Sequence, residues 1–207
     1  LIVGGDGRYG NYEAIKKIIK ICAAHNVGKI IIAKAGILST PAASNLIRRK
    51  EALIGIILSA SHNPGGLKGD FGVKVNVSNG GPAPEKLTNK IFECSQNLLN
   101  YKFFECEVPE FNKQGNFKIK DMDVEIIDGV EDYSNLMERI FDFDQIGEFL
   151  KNDFSIVFDA MNAVTGPYAN DLFIKKIGLS ENCLMNSKPL NDFGDLHPDP
   201  NLTYAKK

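Results

Sequence analysis

Three short apolar runs leave this chain few ways to fold. Residues 1–3, residues 29–33 and the run Leu53-Ile54-Gly55-Ile56-Ile57-Leu58 are rich in branched apolar side chains and lack the polar alternation of a half-exposed strand. Each is too short for a buried helix, so each reads as a strand covered on both faces of a parallel sheet. Between the first two, Ile15, Ile18, Ile19, Cys22 and Ala23 recur at i, i+3, i+4, i+7 and i+8, one face of a helix ended by Gly28. Between the second and third, Ser39 or Thr40 can cap a helix that starts with Pro41, where a missing N–H costs nothing. This β-α-β-α-β order implies right-handed crossovers and a parallel sheet with helices on its faces.

The third run leads directly into Ala60-Ser61-His62-Asn63-Pro64-Gly65-Gly66. Gly and Pro cannot extend a central strand, so the chain must turn there. Ligands of open parallel sheets bind beyond the strands' carboxyl ends, and here a hydroxyl, an imidazole and a carboxamide are offered at that place. Ser61 is the candidate nucleophile. A Ser in a Gly/Pro turn is by itself a local turn former. Its company changes the reading: His62, Asn63, the basic Lys68 and Lys74, and pliable backbone at Gly65, Gly66 and Gly69 whose N–H groups can cradle an oxyanion. Phosphoryl transfer asks a protein mainly for positioning and charge neutralisation, which such a site supplies.

Beyond the loop, Val73, Val75 and Val77 alternate with Lys74 and Asn76, so period two sends the Val to one face and the polar pair to the other. Asn79-Gly80-Gly81-Pro82 is a strong turn, and Leu87, Ile91 and Leu98 suggest a helix after Pro84. Residues 100–122 show no period, and a domain boundary is placed at their end. A second α/β unit then opens with a strand at 124–127. A helical face follows at Val130, Tyr133, Met137 and Ile140, then a short helix at 144–150. A buried strand is expected at 154–158, a helix at 167–177 and a strand at 182–185. Asp192-Phe193-Gly194 and His197-Pro198-Asp199-Pro200 read as a stiff loop. The expected organisation is thus two consecutive α/β units with mixed, mostly parallel sheets sandwiched by helices, spanning 1–122 and 123–207. The chain opens inside a strand pattern without Met and stops without a closing element, so it reads as a piece of a longer protein.

Charge argues against two partner classes. With 24 basic and 26 acidic residues and a net charge of −2, spread along the chain, no nucleic-acid or membrane surface is indicated. No apolar run reaches spanning length. Four scattered Cys and three His build no zinc spacing, and the Cys read as small buried hydrophobes of a reduced, cytoplasmic protein.

Two other motifs weigh less. Gly5-x-Gly7-x-x-Gly10 follows a strand and opens a helix like a dinucleotide fingerprint. Lys34 and Ala35 stand where the acidic ribose partner belongs, so a tight turn is the better reading. Asp6 and Arg8 at that strand end either line a polar cleft or form a structural ion pair. Ser61-His62 is no hydrolase dyad, because adjacent residues rarely face each other and no G-x-S-x-G elbow surrounds the Ser. His25 sits at a helix end rather than at a site.

Several blocks in order carry a resemblance. Ile57-Leu58-Ser59-Ala60-Ser61-His62-Asn63-Pro64-Gly65-Gly66, Gly69-Asp70-Phe71-Gly72-Val73-Lys74 and Asn79-Gly80-Gly81-Pro82-Ala83-Pro84 resemble the eukaryotic-type phosphoglucomutase branch of the α-D-phosphohexomutases. Gly4-Gly5-Asp6-Gly7-Arg8, Gly36-Ile37-Leu38-Ser39-Thr40-Pro41-Ala42, Asp192-Phe193-Gly194 and residues 197–205 agree with it, while 100–122 match poorly. The resemblance implies a four-domain enzyme that exchanges glucose 1-phosphate and glucose 6-phosphate through glucose 1,6-bisphosphate. This chain would hold most of domain I and part of domain II. It implies that Ser61 carries the phosphoryl group and, through that phosphate, is one ligand of Mg2+. His62 and Lys74 would stabilise charge or move the sugar hydroxyl's proton, and Asn63 and Arg8 would join Ser61 in binding substrate.

The family's aspartate-rich metal loop belongs downstream of Ala205, and the early Thr-Ser-Gly-Leu-Arg stretch and domains III and IV also fall outside the chain. Ser59 stands where Thr is usual, and Asp195-Leu196 where Gly and His are common. The 207-residue chain alone is therefore expected to bind Mg2+ poorly and to be inactive; the whole protein is expected to be a monomer. Rival readings are a parafusin-like, non-catalytic phosphoprotein linked to secretion, a mutase for mannose or an amino sugar, and a nucleotide-dependent oxidoreductase built on residues 5–10.

Overall fold

The computed structural model describes residues 1–152 and 154–196. Its centre is a six-stranded sheet of order β4-β3-β1-β2-β6-β5, formed by β1 (Ile2–Gly5), β2 (Lys29–Ile37), β3 (Ile54–Leu58), β4 (Val73–Val77), β5 (Gly115–Ile119) and β6 (Met122–Ile127). The four inner strands are parallel, and β4 and β5 close the two edges antiparallel. The three apolar runs of the sequence are thus neighbours, as the β-α-β-α-β order requires.

Alternate side chains divide the core into two layers. Val3, Ile30, Ile32, Leu58, Val124 and Ile126 meet Ile15, Ile19 and Cys22 of α1 (Asn11–Ala24) on one face. Ile2, Ile31, Ala33 and Ile57 meet Ala42, Ala43, Leu46 and Ile47 of α2 (Thr40–Arg49) on the other. A strand with apolar residues at every position is what this sandwich needs. Ser39 caps α2, its hydroxyl accepting from the Ala42 N–H with Pro41 in the first turn. His25 closes α1 and is exposed.

β2 runs longer than the apolar run predicts. Ala35 and Gly36 have φ of 55° and 73°, a bulge that lets Ile37 rejoin β1 opposite Gly5. The Leu38 N–H then donates to the Gly5 carbonyl at 2.7 Å, which carries Ser39 and α2 to the strand ends where β1 and β3 also finish.

Four sequence expectations need correction. Residues 100–122 are not wholly irregular, because they contain β5. The strand at 124–127 does not open a second unit: it is β6, paired with β2 from Lys29↔Asp123 to Ala33↔Ile127, so a boundary at 122/123 would cut through the β5–β6 hairpin of the first sheet. Residues 154–158 are no buried strand; Phe154 and Val157 are exposed, and only β7 (Phe158–Asp159) pairs, parallel, with β8 (Leu184–Met185). Among the Cys, Cys22 and Cys183 are buried, but Cys94 is exposed on α3 (Glu85–Gln96), a helix with no buried residue.

The remaining elements are α4 (Gly129–Ile140), α5 (Phe143–Asn152) and α6 (Thr165–Ala169), which continues as a π-helix over Asn170–Lys176. α4 packs along α2: Asn45 donates to Asp132 at 2.7 Å and Arg49 pairs with the same carboxylate. Among the described residues no helix is long and apolar enough to cross a membrane.

Asp128 begins α4, accepting from the Val130 and Glu131 N–H groups and from Lys34 Nζ at 2.7 Å. Burial alone would raise its pKa, but these donors outweigh it and hold the carboxyl below its ordinary 3.8. Asp128→Ala is expected to cost about 1 kcal/mol in urea denaturation. A depressed carboxylate stabilises above its ordinary pKa and loses that contribution as the pH falls through the depressed value. The gap between wild type and Asp128→Asn should therefore be widest near neutral pH and close below 3.8; a gap independent of pH would contradict this account.

Candidate functional site

The carboxyl ends of β1 and β3 lie side by side, with α1 leaving on one face of the sheet and α2 arriving on the other. That reversal opens a crevice beyond the strands. Gly5 permits the close approach: a Cβ there would collide with the Leu58 carbonyl and the Asn11 amide. β1 leads into Asp6 and Arg8, and β3 into Ser59 and Ser61.

Ser61 has φ of 57°, left-handed for a residue with a side chain, and its N–H donates to Ser59 Oγ at 3.0 Å. Lys74 Nζ donates to Ser61 Oγ at 2.7 Å. The antiparallel register explains how a residue so far along the chain returns: Leu58 pairs with Val73 and Ile57 with Lys74, so the loop leaves β3 and comes back on β4 beside its own beginning. Period two then points Lys74 to the Ser61 side. On the same face Asn76 is buried, donating to the Gly80 carbonyl at 2.9 Å, while Val73 is exposed.

Arg8 lies at the centre of the loop with 1% exposure. Nε and Nη2 hold Asp6 at 2.8–3.0 Å; Nη2 also reaches the Ser61 carbonyl at 3.1 Å. Nη1 reaches the Asp70 carbonyl at 2.7 Å and the Asn63 carbonyl at 3.5 Å. All five guanidinium donors are engaged. Of the two readings left open for Asp6 and Arg8, the ion pair is observed, and Asp6 also lines the polar cleft beside Ser61.

His62 is exposed, and the Asn63 side chain half-buried; neither side chain has a hydrogen-bond partner among the described residues. Ser61 and Lys74 are thus brought together, and His62 is exposed next to Ser61 in the chain. Ser61 and Lys74 face a cavity of about 350 Å³ that also takes in Ser59 and Asp6. Its far wall is Tyr133, Thr165, Tyr168 and Phe193. Tyr168 accepts from the Ser39 N–H at 3.0 Å, and its burial pushes the phenol above its ordinary pKa, so it stays protonated.

Residue-by-residue reading missed Asn11, Asn191 and Phe193. Asn11 donates to Asp6 and to the Leu58 carbonyl, and the Asn191 carbonyl accepts from Tyr9 N–H at 2.7 Å and Gly66 N–H at 3.1 Å. The signal available was Asp192-Phe193-Gly194, read as a stiff loop; residues 197–205, which also entered the resemblance, lie outside the described residues. For a divalent cation the donor set is thin. No three His, Cys, Asp or Glu side chains are grouped among the described residues, and the carboxylate that lines the cavity with Ser61, Asp6, is held by Arg8. These residues do not by themselves make a metal site.

Residues 1–102 match the family model described as phosphoglucomutase/phosphomannomutase, alpha/beta/alpha domain I. The chain is 51% identical to a phosphoglucomutase of Emericella nidulans, covering 99% of this chain and 37% of that protein. It is 50% identical to a phosphoglucomutase of Rhizobium radiobacter, with 100% and 38% covered, and to a chloroplastic phosphoglucomutase of Arabidopsis thaliana, with 100% and 33% covered. Among solved structures, the exocytosis-sensitive phosphoprotein pp63/parafusin (phosphoglucomutase) of Paramecium, in its open form, superposes with a TM-score of 0.93 at 40% identity, covering 99% of this chain and 39% of that one. The chain spans less than two fifths of the length of these relatives.

Arg8→Met should cost roughly 3–5 kcal/mol, because it strands the buried Asp6 carboxylate. Adding Asp6→Asn should restore part of that loss. Urea denaturation of the two variants checks it; a single-variant loss under about 1 kcal/mol would mean that water already answers Asp6.

Proposed function

The chain belongs to the phosphoglucomutase/phosphomannomutase family, and on that premise we propose that the whole protein is a cytoplasmic phosphoglucomutase, an isomerase that interconverts glucose 1-phosphate and glucose 6-phosphate. Ser61 carries the phosphoryl group, and glucose 1,6-bisphosphate is the intermediate that turns over between two transfers. The observation that carries this reading is the 2.7 Å contact between Lys74 Nζ and Ser61 Oγ at the mouth of the crevice.

In the first transfer a sugar hydroxyl oxygen forms a bond to phosphorus as the bond from phosphorus to Ser61 Oγ breaks. The electron pair of that bond stays on Oγ, where the Lys74 ammonium neutralises it. The hydroxyl's proton must leave as its oxygen attacks, and His62, exposed beside Ser61, is assigned as the base that takes it. In the second transfer the roles reverse: Ser61 Oγ is rephosphorylated from the other end of the bisphosphate. Splitting one difficult migration into two in-line transfers is what a covalent carrier achieves. Asn63 is assigned to substrate binding.

The family implies a metal cofactor, which we assign as Mg2+ with the Ser61 phosphate as one ligand. A hard cation of this kind takes oxygen donors and neutralises phosphoryl charge. The other ligands are assigned to aspartates in a part of the protein beyond these residues, and the sugar-selecting loop to a later domain. Hence the 207-residue chain alone is expected to produce no sustained glucose 6-phosphate in a coupled assay; steady turnover by it would refute this assignment of parts.

The pp63/parafusin likeness keeps a second reading in play, a phosphoprotein of regulated secretion without turnover. Activity of the full-length protein with glucose 1-phosphate and glucose 1,6-bisphosphate separates the two, and the same assay with mannose 1-phosphate ranks the sugars. Ser61→Ala should lose more than about 10³-fold in kcat, and Lys74→Met about 10²- to 10³-fold with a smaller change in KM. Phosphate mapped by mass spectrometry to another side chain of the active enzyme would end the Ser61 assignment.

A further inference from the structure

The Ser61 loop contributes little to its own rigidity. Between 60 and 70 its backbone bonds are the N–H of Asn63 to the Ala60 carbonyl, of Gly69 to Gly66 and of Asp70 to Pro64. Ser61 nevertheless holds a left-handed backbone, which an L-residue keeps when its surroundings over-determine it. Ser59 Oγ and Lys74 Nζ hold Ser61 itself, and two groups from elsewhere in the chain hold the rest of the loop. From below, Arg8 ties the carbonyls of Ser61, Asn63 and Asp70 to one rigid fork. From the side, the turn at 191–193 presses in: the Asn191 carbonyl takes the Gly66 N–H, and the Phe193 ring lies 5.3 Å from the Arg8 guanidinium carbon. Phe193 is 2% exposed and sits close enough to Gly65 that a side chain there would strike it. Asp6 cancels the charge of Arg8, so a ligand in the crevice feels the pair as geometry rather than as field.

We propose that Arg8 and Phe193 are positioning residues for phosphoryl transfer, a two-sided clamp that fixes Ser61 Oγ against Lys74 and makes the 191–193 turn part of the catalytic loop's support. The inference rests on the reading of Ser61 as the phosphoryl carrier. Neither side chain bonds Ser61 Oγ, which is held by Lys74. Their contribution is to hold the reacting oxygen in line, where a displacement of an ångström is costly to the transition state and nearly neutral for sugar-phosphate binding.

The test uses the full-length protein with glucose 1-phosphate and glucose 1,6-bisphosphate. Arg8→Lys keeps a positive charge opposite Asp6 but replaces the five-donor fork with a single ammonium. Its kcat is expected to fall about 10- to 100-fold while KM moves less than about threefold. Deuterium uptake should rise across residues 61–70 and stay unchanged in β1 and β3. Phe193→Leu, which keeps an apolar side chain but removes the ring, should shift both readouts in the same direction by a smaller factor. A folded Arg8→Lys with kcat within about twofold of wild type, or with unaltered uptake at 61–70, overturns the clamp. Should Arg8→Lys fail to fold, Phe193→Leu decides by the same two readouts. Retained turnover in Ser61→Ala is a separate failure: it removes the Ser61 reading and with it the catalytic meaning of the clamp, even if Arg8→Lys still loosens the loop.

Discussion

A guanidinium withdrawn from water must be answered on every N–H it carries, and the way Arg8 is answered shapes the whole site. Asp6, two residues earlier, supplies the charge and two of the acceptors. The other acceptors are carbonyls of residues far along the chain, Ser61, Asn63 and Asp70. A pair buried this deeply is weak support for net stability, since desolvation offsets most of its attraction. Its value is specificity: in this conformation the loop presents three carbonyls to one fork, and Ser61 lies beside Lys74.

The sheet makes that selection possible. Strands apolar on both faces take helices on both faces, and the reversal of crossover direction around β1 opens the crevice at its carboxyl end. The bulge at Ala35 and Gly36 stretches β2 to the same level, so that Ser39 and α2 reach the crevice as well. The turns after β1, β2 and β3 thus leave the same end of the sheet and converge there.

The second half of the described chain closes the site by two different kinds of contact. α4 lies along α2 through Asp132, which is bonded by both Asn45 and Arg49, and Tyr168 reaches over to the Ser39 amide. The turn at 191–193 then meets the Ser61 loop through backbone hydrogen bonds and one aromatic ring. Helix packing sets the approximate distance, and the hydrogen bonds set the register. A cavity lined by both halves follows, with hydroxyls of Ser61, Thr165 and Tyr168 on its walls.

Much of this was legible in the residues. The apolar runs, the 3.6-residue period of α1, the Ser39-Thr40-Pro41 cap and the alternation of Val73, Val75 and Val77 are local signals, and local signals survive without neighbours. The turn that carries Ser61 was likewise legible, because Gly and Pro turns at a strand's carboxyl end are written in sequence. Three things were not legible. The strand β6 reads as the start of a new unit, since a parallel partner is chosen by crossover geometry rather than by anything in residues 122–127. The second-half strand at 154–158 carries apolar residues but finds no cover, and pairs over Phe158–Asp159 alone. Arg8 reads as lining a polar cleft or as half of a structural pair with equal right, because whether its fork faces outward or inward depends on carbonyls more than fifty positions away. The residues alone thus marked the inner strands and flanking helices of the first sheet and the turn that carries Ser61. Tertiary structure decided that Arg8 is consumed in holding the Ser61 loop while Lys74 stands at the Ser61 hydroxyl, since a hydrogen bond is spent only where its acceptor is finally brought.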